Sequence, residues 1–493
     1  MKATLFLNPQ NIISKIDNRI YSSFIEHMGR AVYTGIYEPT HYSANQTGFR
    51  KDVADLITPL EVTNIRYPGG NFLSGYNWKD GIGPKENRPI RPEMAWSAIE
   101  PNQVGTDEFL TWCESMHISP MLGVNLGTGT PKEAVELLEY CNSTLHTYWA
   151  DKRRENGREE PYHVKLWCLG NEMDGPWQIC AKTATEYSRI ACETAKLMKM
   201  LDPSIELVAC GSSFRDMPTF GVWEETVLRE CYPYIDYLSL HQYYQNMEGD
   251  IMSFLSRDED MTDFIIEVAS ICDRIKQEKN SEKDIKLSFD EWNVWYHFKK
   301  EGKGPEKWTV ARPIEEELFD FADALLVGSM LNTLINHSDV VKIACLAQLV
   351  NCIAPIMTQP DGPAWIQTIY WPFLYTSKYG RGSALHIEAT APSYSCAVRE
   401  QASYLSASAV LSEDEETISL FLINKNPEEV MELSLPGISG TIETFITLSG
   451  VSFDSVNTSE YQSVMPREIT EQTLETLCLP AASWNMVRIA RKK

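Results

Sequence analysis

No uncharged apolar run in the 493 residues is long enough to cross a bilayer. The closest, 324–335, falls well short of the ~20 residues a spanning helix needs and reads as a buried helix. The first ten residues hold no apolar stretch of signal-peptide length, so the cytoplasm is the expected compartment. Positive charge is also scarce. Forty-four Lys and Arg against 68 Asp and Glu leave a net charge of −24, which disfavours nucleic acid and anionic membrane as partners and suits a neutral ligand. The twelve cysteines include no C-x-x-C pair, and Cys168, Cys210 and Cys345 sit inside apolar runs, the pattern of buried thiols in a reducing compartment. Pro68-Gly69-Gly70 lacks the Lys-Ser/Thr of a phosphate loop. With no H-x-x-x-H or H-x-H spacing, His27, His241 and His297 beside Glu26 are poor metal ligands, and neither metal nor organic cofactor is expected.

What the chain does contain is a rhythm. Runs of β-type residues at 20–25, 62–67, 119–125, 164–169, 206–210, 235–240, 285–289 and 340–346 alternate with helical patterns. Helices are expected over 106–116, 131–140, 185–200, 261–279 and 315–336, several with an N-cap residue or a Pro in the first turn. Eight strands in this alternation predict a (β/α)8 TIM barrel, an α/β fold. Near Tyr379 the texture changes to short alternating runs with polar turns and no long helix, which predicts a C-terminal antiparallel β-sandwich of jelly-roll type. The expected division is 1–17 as strands joining that sandwich, 18–378 as the barrel and 379–493 as the sandwich.

A barrel places its active site at the carboxyl ends of its strands, so the residue after each run matters most. Strand four ends at Asn171-Glu172 and strand seven at Asp290-Glu291-Trp292. A carboxylate at the end of a buried strand is costly to ionise unless something uses it. A single such Glu is as readily a cap or a salt-bridge partner; two on separate strands suggest a paired acid/base and nucleophile. The other runs lead into Glu26-His27, Arg66 and Asn71, Asn125, Ser212-Ser213, His241 and Tyr243, and Gln348. All eight sets on one face would build a polar pocket for a substrate. Arg66 beside a nucleophilic Glu would hold it ionised, Asn171 could bond a sugar 2-hydroxyl, and Tyr243 could donate to the nucleophile. Cys168 as a nucleophile is weaker than a buried inert thiol.

Six stretches carry a resemblance: Phe24-Ile-Glu-His-Met-Gly-Arg30, Ile65-Arg-Tyr-Pro-Gly-Gly-Asn-Phe72, Trp167-Cys-Leu-Gly-Asn-Glu-Met-Asp-Gly-Pro-Trp-Gln178, Ser239-Leu-His-Gln-Tyr-Tyr244, Asp290-Glu-Trp-Asn-Val-Trp-Tyr296 and Ala347-Gln-Leu-Val-Asn-Cys-Ile-Ala-Pro355. In order and content the chain resembles the α-L-arabinofuranosidases of glycoside hydrolase family 51. The resemblance implies a retaining, exo-acting hydrolase that releases terminal non-reducing α-L-arabinofuranosyl groups from arabinan- or arabinoxylan-derived oligosaccharides by double displacement. It makes Glu172 the general acid/base and Glu291 the nucleophile. Glu26, Arg66, Asn71, Asn171, Tyr243 and Gln348 become sugar contacts or supports of the two glutamates, with His241 beside them and Trp96 and Trp295 as aromatic walls. It also implies a homo-oligomer, commonly a hexamer. The competing readings are an endo-glycanase or β-xylosidase on the same scaffold, and a sugar-binding protein without turnover.

Overall fold

The computed structural model describes residues 1–296, 304–475 and 477–492. After β1 (Lys2–Lys15), eight parallel strands close into a barrel: β2 (Ser22–Phe24), β3 (Asn64–Tyr67), β4 (Ser119–Val124), β5 (Leu166–Leu169), β6 (Glu206–Ala209), β7 (Tyr237–Tyr244), β8 (Lys286–Val294) and β9 (Val341–Leu346), with β9 pairing back to β2. Strands β2, β3 and β5 are buried at every position, because helices cover the outside and side chains fill the inside.

All eight expected strands form, with two kinds of difference at their ends. The first run begins as a 3-10 turn, Asn18–Tyr21, because the Asp17 side chain accepts the Arg19 N–H and caps it. Strands β7 and β8 run past their expected ends to Tyr244 and Val294, their ladder continuing along the aromatic segments beyond residue 240.

Helices form where capping is strongest. Thr130 and Thr183 each make a reciprocal capping box with the Glu three residues on, starting α1 (Pro131–Asn142) and α2 (Ala184–Leu201). The long helix expected from residue 315 starts instead at α3 (Phe321–Asn336), since Asp320 caps it through the Asp323 N–H. Residues 315–319 are thereby left outside the helix, and the Glu315 backbone turns left-handed at φ 54°.

The carboxy-terminal part is one nine-stranded sheet. It comprises β10 (Ser383–Thr390), β11 (Leu405–Leu411), β12 (Thr417–Asn424), β13 (Met431–Ser434), β14 (Gly440–Leu448), β15 (Arg467–Glu468), β16 (Cys478–Leu479) and β17 (Ser483–Arg491), together with β1. Its order is β15-β14-β17-β12-β11-β10-β1-β13-β16. All its pairings are antiparallel except β1 with β13.

The sheet is covered on both sides, which explains why β12 is buried at every position. Ile418, Leu420 and Leu422 point into the sheet's own core, while Phe421 and Ile423 join the barrel core together with Trp484 and Met486. Gly328 in α3 makes this docking possible: a Cβ there would stand 2.4 Å from the Trp484 indole. Asn332 of α3 donates to the Phe421 carbonyl and Ser406, and accepts from Ser408. Lys425, just past β12, donates to Asp258 in the barrel at 2.6 Å, and their side chains are only 1% and 7% exposed.

That ion pair generates a stability prediction. Replacing Lys425 with Met strands a buried carboxylate and should cost about 3–5 kcal/mol, whereas Lys425→Met with Asp258→Leu should come out near neutral. Thermal melts of the two variants beside the parent check this; equal melting points for parent and single variant would contradict it.

Candidate active site

The two glutamates reach the barrel mouth by different local devices. On β8, Ser288 pairs with Ser239 and Glu291 with His241, so Phe289 and Asp290 together oppose Leu240 alone. This bulge re-aims the strand and lets the consecutive residues Asp290 and Glu291 both engage the same buried polar cluster. Beyond β5, the chain turns at Gly170 (φ 89°) and again at Glu172, whose φ of 44° is left-handed. Such a backbone in a non-glycine residue costs on the order of 1–3 kcal/mol and typifies functional sites.

Arg66, fully buried on β3, organises the floor. Its Nη1 donates to Glu291 Oε1 at 2.5 Å and its Nη2 to Asn171 Oδ1 at 2.6 Å, while Nε lies 3.5 Å from Asp290 Oδ2. Asn171 in turn donates to Asn71 at 3.4 Å. The Tyr243 hydroxyl donates to the other Glu291 oxygen at 2.8 Å. Both oxygens of the Glu291 carboxylate are therefore held.

His241 stands between the carboxylates. Its Nδ1 is 3.0 Å from Glu172 Oε1 and 3.6 Å from Glu291 Oε2, and its Nε2 is 3.4 Å from Asp290 Oδ1. Burial alone would lower its pKa, but the charge of Glu291, the hydrogen bonds with Asp290 and Glu172, and the charge of Asp290 outweigh that and push it up to about 10. Burial would likewise raise Asp290, yet Arg66, His241 and a 2.6 Å bond from Ser239 hold it below the ordinary carboxylate range.

Glu172 goes the other way. Burial, reinforced by the nearby charge of Glu291, raises it despite hydrogen bonds from His241 and from Trp177 Nε1 at 2.7 Å. Neighbouring carboxylates with opposed environments are the arrangement acid/base chemistry requires.

A small pocket opens above this floor, lined by Glu26, Asn71, Glu172, Tyr243, Glu291 and Gln348, with Trp96 and Trp295 as walls. Glu26 Oε1 accepts the Phe72 N–H and Trp96 Nε1, and Gln348 accepts the Glu26 N–H at 2.9 Å. Burial pushes Glu26 up to about 8. The Gly69-Gly70 turn gives its carboxylate room: a Cβ on Gly70 would sit 2.4 Å from Glu26 Oε2. Trp295 packs edge-on to Tyr243 and donates to Glu315 at 2.9 Å, so the segment left outside α3 borders the pocket.

The eleven candidate residues thus converge, eight on the pocket and three, Arg66, Asn171 and His241, behind it. Two strand ends do not contribute as expected. Asn125 accepts backbone N–H groups of its own loop, from residues 127 to 129, and the Ser212 N–H and Ser213 bind Glu224 and Asp174. These polar groups satisfy βα loops instead of facing the pocket. His27 turns inward to Glu100 and Tyr67, and His297 lies outside the described residues.

Two participants went unassigned in the sequence reading. Asp290 was masked by its neighbour Glu291, since strict strand alternation allows only one of them inward. Trp177 lay within the quoted motif, but nothing in the sequence shows a five-residue loop folding back onto Glu172. Glu172, His241 and Glu291 also bring one donor atom each within 4.8 Å of one another, a grouping that could hold a cation only if it displaced the His241 proton. A larger cavity of about 850 Å³ is lined by Asn64, Ser119 and Leu166, where strands begin, the end of a barrel that supports stability instead of chemistry.

Two protein-family descriptions match this chain: "Alpha-L-arabinofuranosidase 1 domain" over residues 56–261 and "Alpha-L-arabinofuranosidase C-terminal domain" over 290–483. An intracellular exo-α-(1→5)-L-arabinofuranosidase 1 of Bacillus subtilis is 50% identical, covering 100% of this chain and 99% of its own. An exo-α-(1→6)-L-arabinofuranosidase of Bifidobacterium longum is 41% identical over 97% of this chain and 95% of its own. Among solved structures, a family 51 α-L-arabinofuranosidase from Bifidobacterium longum superposes with a TM-score of 0.94 at 40% identity, over 99% of both chains. An arabinose complex of an α-L-arabinofuranosidase from Thermotoga maritima gives 0.88 at 32% identity, over 99% of this chain and 100% of that one.

The charge pattern predicts a measurable titration. Histidine-selective 15N spectra should show His241 doubly protonated up to about pH 10, and Asp290→Asn should move that titration downward. Because the folded pKa is raised, the stability His241 contributes is full below an unfolded pKa of about 6.5 and is lost as pH climbs towards 10. A His241 titration near 6.5 in the parent would refute the arrangement.

Proposed function

The chain belongs to the α-L-arabinofuranosidases of glycoside hydrolase family 51, and we propose that it is a retaining, exo-acting enzyme that removes terminal non-reducing α-L-arabinofuranosyl groups in two displacements. The observation that carries this reading is a spacing. An oxygen of Glu172 lies within 4.8 Å of an oxygen of Glu291. Retaining glycosidases hold their carboxyl groups about 5–5.5 Å apart, whereas inverting ones leave about 6.5–9.5 Å for a water between them.

In the first displacement Glu291 attacks the anomeric carbon while Glu172 protonates the departing glycosidic oxygen. Arg66 and Tyr243 each donate to one oxygen of the attacking carboxylate and so fix which lone pair faces the sugar. The bond formed is an ester, so Glu291 loses its negative charge at that moment. One of the two causes that raise Glu172 then disappears. Its pKa falls, and the same group that acted as acid can take a proton from the incoming water. Hydrolysis of the ester returns Glu291 and completes retention. Asn71, Glu26 and Gln348 line the pocket that would hold the ring hydroxyls, with Asn171 supporting Asn71 from behind and Trp96 and Trp295 as walls.

Oligosaccharides derived from arabinan or arabinoxylan are the substrates we propose. Relatives 50, 48 and 47% identical, named intracellular exo-α-(1→5)-L-arabinofuranosidases, support the α-(1→5) linkage and an intracellular site of action. A homohexamer accompanies this reading, and light scattering tests it.

Two variants test the assignment. Glu291→Ala should abolish turnover of an aryl arabinofuranoside. Glu172→Ala should lose about 10²–10⁴-fold on an oligosaccharide but less on an activated aryl leaving group, with turnover partly restored by azide. Proton NMR should show the α-anomer of arabinose formed first. Near-parental activity in either variant, or first release of the β-anomer, would sink the reading.

A further inference from the structure

Trp96 walls the pocket, yet it sits where a side chain is least constrained. It belongs to the four-residue tip, residues 94–97, of a short hairpin in which Arg91–Glu93 pairs with Ala98–Glu100. Met94 on that tip is exposed, and Ser97 is left-handed at φ 52°. Behind the hairpin lies a cavity of about 350 Å³, lined by Phe72, Tyr76, Asp80, Arg91 and Glu93, so close packing does not back the tip on that side. Tips of this kind are mobile unless tied down.

Arg312 Nη1 donates to the Trp96 carbonyl at 2.9 Å and the Trp308 N–H to the Ser97 carbonyl at 2.7 Å, while the amides that lead into the Trp96 side chain are held by Glu93. The buried Glu93 carboxylate accepts the Ala95 N–H with Oε1 and the Trp96 N–H with Oε2, both at 2.7 Å. Bonds from two consecutive amides fix the direction in which the Trp96 Cα–Cβ bond leaves the turn. On the other side, the indole Nε1 donates to Glu26 Oε1 at 2.9 Å, and that oxygen also accepts from Phe72, next to Asn71. The connection therefore runs from Glu93 through the turn to Trp96, and from Trp96 to Glu26 in the pocket.

We propose that Glu93 is a positioning residue for the arabinofuranosidase reaction: by clamping the turn at Ala95 and Trp96 it holds the Trp96 indole against Glu26, and so sets the shape of the sugar pocket without touching the sugar. This deepens the function proposed above and rests on it. Since the wall contacts the ring in the ground and transition states alike, the effect falls on binding more than on chemistry.

Glu93→Gln tests this, because a carboxamide presents one acceptor where the carboxylate presents two. On an aryl α-L-arabinofuranoside KM should rise about tenfold with kcat within about twofold of the parent. The decisive arm is a double-mutant cycle with Trp96→Ala. In that background, adding Glu93→Gln should change kcat/KM by less than about twofold, because the group it acts through is gone. Glu93→Asp, which keeps the charge but shortens the reach, serves the same cycle if the amide variant does not fold, as circular dichroism will report. An unchanged KM in the folded single variant would overturn the proposal, as would an undiminished tenfold loss in the Trp96→Ala background. A parent enzyme inactive on arabinofuranosides would instead remove the proposed function, an outcome distinct from either.

Discussion

Everything in the pocket depends on keeping two carboxylates within 4.8 Å of each other in a site almost closed to water. Unscreened, like charges at that separation would drive one glutamate to stay protonated and leave the choice to chance. The protein breaks the symmetry with two cations. Arg66 is aimed at Glu291 and Asp290, and His241 lies between Glu172, Glu291 and Asp290. Asp290 anchors both cations from below without lining the pocket. The outcome is asymmetric: Glu291 is bound on both oxygens by donors, while Glu172 is held high in pKa by burial.

That asymmetry comes from geometry that strands alone would not supply. Regular alternation would send Asp290 and Glu291 to opposite faces, and the bulge on β8 brings both to the same cluster. Glu172 depends on two left-handed positions just past β5, Gly170 and Glu172 itself. A site assembled from irregularities in otherwise regular strands is stiff because the barrel on either side of each irregularity is fully packed.

Much of this was legible in the sequence. The eight strand runs were visible because parallel barrel strands are buried on both faces, and the polar residues after them marked the working end. Glu172, Glu291, Arg66 and Tyr243 could be picked out because charged and hydroxyl groups there are costly unless used. The missing parts share one cause. The bulge, the fold-back of Trp177, and the roles of Asn125 and Ser212–Ser213 as loop partners all depend on backbone hydrogen bonds that leave no periodic trace in side-chain type. The start of α3 is similar: 315–319 has a helix-like composition, but the Asp320 cap decides where the helix begins. Glu93 was equally silent, being one acidic residue in a hairpin whose importance lies in the amides it receives.

The sheet that gathers β1 beside β10 and β13 joins segments that lie on either side of the barrel along the chain. On a translating ribosome β1 therefore emerges before the barrel and waits for Ser383–Thr390 and Met431–Ser434 before its neighbours exist. The barrel segment between them can close first, and the sheet is completed after it. Nascent chains stalled before residue 383 should accordingly display β1 unpaired, with Leu5 and Leu7 lacking the cover that the folded sheet gives them.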